Sequence, residues 1–140
     1  MNKSNFNNYQ NKNRNQNRNE VKNNLDLRNV FEAAKNNKYN VFVEEAEKFA
    51  KNNKDISNSQ LRKFYDEVSS KEKLNKNNFQ KVLPFLKVKL AYALGRGNIK
   101  QDFYKNMVML IDETLKSEEN IVIFQEFFEA IVAYNKSLNK

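Results

Sequence analysis

The chain has no cysteine and no histidine, and it holds only two glycines and one proline. Each scarcity removes a class of chemistry. Without cysteine there is neither a disulfide framework nor a thiolate metal site. Without histidine the usual general base and the commonest metal ligand are missing. The Glu-x-x-His pattern of helical di-metal sites cannot be written either. Gly95 and Gly97 are too few for a glycine-rich phosphate loop. Acidic pairs occur at Glu44-Glu45 and Glu118-Glu119, but adjacent residues on a helix point in different directions. The serines have no evident base. The expectation is a protein that is not an enzyme, with no metal, no cofactor and no small-molecule substrate. No apolar run approaches the ~20 residues of a membrane span. The first residues lack the apolar stretch of a secretion signal. A cytoplasmic protein without membrane contact is the expectation that follows.

What is present is positive charge and helical periodicity. The 140 residues fit one domain, of a size that buries roughly two-thirds of its unfolded surface. Lys and Arg total 25 against 17 Asp and Glu, for a net charge of +8. Such an excess bears on partners and not on fold, and nucleic acid is the commonest polyanion that a basic domain meets. An acidic protein or an anionic membrane surface is the weaker alternative. Composition shifts near residue 24. Of residues 1–24, eleven are Asn, five are Lys or Arg, and Glu20 is the one acid. Phe6, Tyr9 and Val21 are scattered, so the segment cannot bury enough surface to offset its ordering entropy. It reads as a disordered basic tail, with a helical domain over 25–140.

In that domain, Leu27, Val30, Phe31 and Ala34 recur at helical spacing. Asn40 is the expected cap of a second helix carrying Phe42, Ala46, Phe49 and Ala50. Ser57 and Gln60 form a capping-box pattern before a third, with Leu61, Phe64, Tyr65 and Val68 on one face. Residues 69–78 read as a loop. A fourth helix over 79–94 carries Leu83, Leu86, Leu90 and Leu94, with Pro84 in its first turn or at a kink. Gly95 and Gly97 stop it. Asn98 and Gln101 repeat the capping spacing before a fifth helix with two apolar stripes. The sixth follows Asn120 and carries Phe124, Phe127, Phe128, Ile131 and Leu138. The pattern predicts an all-α, single-domain bundle of five or six helices. Phe85, Val88 and Tyr92 on the fourth helix, and the wide apolar arc of the sixth, predict apolar surface left uncovered by the bundle.

The basic positions are the candidate site. At 100° per residue, Lys89, Tyr92 and Arg96 share a face near Phe85, away from the leucine stripe. The third helix places Arg62 next to Tyr65, with Lys63 on the other flank of its core stripe. Cations beside aromatic rings suit a nucleic-acid backbone with ring stacking. The competing explanation is structural: long basic side chains cover the core edge with their stems.

Three segments carry a resemblance: Ser59 to Tyr65 (SQLRKFY), Leu83 to Ala93 (LPFLKVKLAYA) with Gly95-Arg96 following, and Phe124 to Tyr134 (FQEFFEAIVAY). Their order and spacing resemble the small subunit of the type III-A CRISPR effector complex, the Csm complex, over roughly residues 40–135. The resemblance implies an all-helical subunit stacked head to tail in several copies inside a guide-RNA-bearing particle. It implies contact with the guide RNA–target RNA duplex, mainly the target strand, and with the backbone and large subunits. Target-RNA cleavage, single-stranded DNA cleavage and cyclic oligoadenylate synthesis would belong to those other subunits. Carried over by position, Arg62, Lys63, Lys87, Lys89 and Arg96 are the expected RNA contacts. Tyr92 joins them as a stacking ring, and Lys54 as a cation in the loop before the third helix. Two other readings stay open. A stand-alone DNA-binding regulator would use 57–71 as a recognition helix, although no short glycine-containing turn leads into it. A basic adaptor would meet acidic protein partners.

Overall fold

In a computed structural model that describes residues 27–139, the described residues form six helices and no strand. They are α1 (Leu27–Lys35), α2 (Tyr39–Asn52), α3 (Asn58–Asp66), α4 (Phe79–Gly95), α5 (Gln101–Thr114) and α6 (Asn120–Leu138). The expected tail over 1–24 lies outside the described residues.

α6 is the axis of the bundle. It packs against α1, α2, α3 and α5, which explains why its apolar arc is so wide. Phe124, Phe127, Phe128 and Ile131 are all at most 1% exposed. Phe127 meets Phe42 and Phe49 of α2 edge-on, with ring centroids 5.4 and 6.3 Å apart. Phe49 in turn meets Phe103 of α5 at 5.8 Å. Edge-to-face pairs of this kind contribute beyond the area they bury. The expectation of surplus apolar surface along α6 is therefore corrected for these four residues, which the surrounding helices cover; Val132 is partly buried, and Val122 remains exposed. Leu138, expected in the core, sits in the last turn, beyond the bundle, and is exposed.

Two of the expected caps are also corrected. α2 starts at Tyr39 with Lys38 before it, so Asn40 lies inside the first turn and caps nothing. The cause is the end of α1. Asn37 adopts a left-handed φ of 60°, the Lys38 N–H donates to the Ala33 carbonyl at 2.8 Å, and the Asn37 N–H donates to Ala34 at 3.2 Å. This Schellman turn delivers the chain into α2 two residues before the expected start. A second such turn closes α4. Gly97 takes φ 79°, and the N–H groups of Gly97 and Asn98 donate to the carbonyls of Leu94 and Ala93 at 3.0 and 2.9 Å. Asn98 is thus used to close α4 and does not cap α5, which follows Lys100 with no side-chain cap. The Ser57 cap does form: its hydroxyl accepts from the Gln60 N–H at 3.1 Å.

Buried polar groups tie the segments together. Asn135 is fully buried on α6; its amide donates to the Ile56 carbonyl at 3.2 Å and its oxygen accepts from Asn58 at 2.9 Å. This fixes the start of α3. The long connection over 67–78 is anchored by buried Leu74 and by Gln125, whose amide donates to the Val68 and Ser70 carbonyls at 2.9 and 3.2 Å. α4 packs against α5. Pro84 is its sixth residue, not in its first turn, and the helix runs through it. Proline there leaves the carbonyl of Gln80, an exposed residue, without its i+4 donor.

Candidate nucleic-acid interface

α4 has two unlike faces. Leu83, Leu86, Leu90 and Ala93 are buried towards the bundle. Phe85, Val88 and Tyr92, spaced i, i+3, i+7, are exposed by 58%, 61% and 66%, the three most exposed large apolar side chains among the described residues. Their stripe borders an open groove between α3 and α4. One half of the groove is lined by Lys81, Val82 and Phe85, the other by Lys63, Val88, Tyr92 and Arg96, and Glu67 and Lys89 line both.

The structure therefore brings Lys63, Lys89, Tyr92 and Arg96 together from two helices. Arg96 is the C-cap of α4 and keeps helical dihedrals, so it stays on the Tyr92 face. Its Nη1 donates to the Tyr92 hydroxyl at 3.3 Å, and its guanidinium carbon stands 5.5 Å from the ring centroid. Lys89 pairs with Glu67, Nζ to Oε1 2.6 Å. Lys63 and Arg96 have no ion pair among the described residues.

The other candidates stand elsewhere. Lys87 is turned towards α5, where its ammonium pairs with Asp112 at 2.5 Å. Arg62 is exposed on α3, beside half-buried Tyr65. Burial pushes the Tyr65 phenol up, Glu129 and Asp66 push the same way, and Arg62 opposes them. Lys54 is exposed in the loop before α3.

Sequence reasoning missed two lysines. Lys81 lines the first half of the groove and lies four residues before Phe85, a spacing that was available as a signal. Lys100 pairs with Asp55 across 45 residues of sequence, which no local pattern foretells. The hydrogen bond and then the charge of Lys100 hold the Asp55 carboxyl below its ordinary range, and the same contact raises Lys100. Among the described residues no group of three or more acids is placed to hold a metal ion. No helix among them is long and apolar enough to cross a membrane.

The described residues thus form an all-α bundle with a cation-rimmed, ring-bearing groove. The family model described as Csm2 Type III-A matches residues 36–140, from the α1–α2 turn to the last residue, and the chain belongs to that family. It is a small subunit of the type III-A CRISPR effector, and it associates with other subunits of the Csm complex. No curated protein and no solved structure matches the chain.

Proposed function

We propose that the chain is a non-catalytic, RNA-contacting subunit of its cytoplasmic type III-A particle in antiviral defence. Several copies stack along the guide RNA–target RNA duplex, and each meets the target strand through the α3–α4 groove. The domain that does this is 25–140; the Asn-rich segment over 1–24 carries no assigned part.

One observation carries this reading: Lys63, Lys89, Tyr92 and Arg96 line a single groove although α3 and α4 are separate in sequence. Three cations beside an exposed ring can take phosphates and the edge of a sugar or base. The competing role, stems laid over the core edge, fits Lys87, whose side chain is 32% exposed, better than Lys89 at 52%. Arg62 and Lys54 extend the contact set outwards from α3. Lys87 joins it only after leaving Asp112.

The test is the assembled complex carrying Lys63→Ala, Lys89→Ala and Arg96→Ala together. Target-RNA affinity should fall at every sequence tried. The log–log dependence on salt should flatten by about 0.7 for each single-strand phosphate that is no longer neutralised. Unchanged affinity and slope would rule out these positions as the contact set.

A further inference from the structure

Among the cations around the groove, Lys89 is singular. Lys63, Lys81 and Arg96 have no ion pair among the described residues, whereas Lys89 is held by Glu67 at 2.6 Å. The pair joins the end of α3 to the middle of α4, and both residues line both halves of the groove. Glu67 and Lys89 therefore form a bar across its centre.

The position of Glu67 is unfavourable by local rules. It is the C-cap of α3, following Asp66, at the negative end of the helix dipole. Lysine or arginine is favoured at such an end, and Lys73 does donate to the Asp66 carbonyl there at 2.6 Å. A carboxylate that breaks the local preference calls for a gain elsewhere. Here that gain is its contact with Lys89. Both members are about half exposed, 52% and 47%, so water and incoming anions reach the pair and it is weak enough to be exchanged.

We propose that Glu67 is an intramolecular competitor for the phosphate site at Lys89. Resting on the groove as the RNA site, this assigns Glu67 the control of entry. A phosphate reaches Lys89 by displacing the Glu67 carboxylate, and the displaced carboxylate repels it until other contacts compensate. An isolated anion gains little from that exchange. A polyanion that also engages Lys63 and Arg96 gains enough to complete it. The groove thus favours an extended RNA backbone over single phosphates.

The experiment is target-RNA binding by the assembled complex carrying Glu67→Gln, alone and with Lys89→Gln. Glutamine keeps the size of the side chain and removes the charge at an exposed position, so melting by circular dichroism should be unchanged. Affinity should rise about two- to five-fold, the range spanned by an exposed ion pair. That rise should vanish in the Lys89→Gln background. Unchanged or weaker binding by Glu67→Gln, while Lys63→Ala and Arg96→Ala still weaken binding, overturns the competitor role and leaves the groove as the RNA site. A rise that persists without Lys89 also overturns it, since Glu67 would then act by general repulsion. If the Lys63 and Arg96 substitutions have no effect either, the groove is not the RNA site and both proposals fall.

Discussion

Asn135 shows what one buried polar side chain does here. It is fully buried and serves two groups from a distant stretch, the Ile56 carbonyl and the Asn58 amide. Asn135→Ala takes the donor from the Ile56 carbonyl, while the Asn58 amide keeps the Val132 carbonyl at 3.3 Å. A buried group left unpaired costs about 1–3 kcal/mol, so thermal unfolding should shift down by several degrees. The exposed Arg96→Ala should leave the same melt unchanged within about 0.5 kcal/mol. A melt for Asn135→Ala equal to the parent would contradict the assigned role. None of this was legible in the sequence, where Asn135 is one asparagine in a chain full of them. The same holds for Lys89 with Glu67 and Lys87 with Asp112: the charges were visible, but their pairing depends on where α3, α4 and α5 come to rest.

Among the elements, α4 separates stability from function most cleanly. Its leucine stripe was readable from spacing alone, and Leu83, Leu86 and Leu90 are buried as that spacing required, while Leu94 is only partly so. Leu90→Ala should cost about 2–5 kcal/mol in unfolding experiments. Val88→Glu, at a position 61% exposed, should leave unfolding unchanged within about 0.5 kcal/mol yet reduce the number of copies per complex seen by native mass spectrometry, or the RNA retained. Full-length, RNA-loaded complexes with Val88→Glu would mean that the exposed stripe contacts neither. Boundaries were legible only in part. Ser57 has one role open to it and plays it. Asn40 and Asn98 looked like caps because asparagine favours helix starts. Where α2 and α5 begin is set by the Schellman turns at Asn37 and Gly97, and neither asparagine ends up as a cap. The width of the α6 stripe misled for a different reason: a stripe does not say how many neighbours will cover it.

For the whole molecule, charge and shape divide the work. The first 24 residues hold five cations against Glu20, so about half of the net charge of +8 lies there and half on the helical part. The family match starts at residue 36 and leaves that segment out. On the helical part, the groove gathers four cations, Lys63, Lys81, Lys89 and Arg96, beside Phe85, Val88 and Tyr92. Head-to-tail repetition needs two different patches on each copy, one matching the other, and the α4 stripe is one available surface. The central claim, that the α3–α4 groove meets the target strand, is tested most directly by ultraviolet cross-linking of the assembled complex to target RNA, with the adducts mapped by mass spectrometry. The expected result is nucleotide adducts on the stretch from Phe85 to Arg96, with Tyr92 foremost, and fewer of them in the Lys63→Ala, Lys89→Ala, Arg96→Ala variant. Adducts confined to other surfaces, such as the exposed Met109 or Val122, with none on α4, would contradict it.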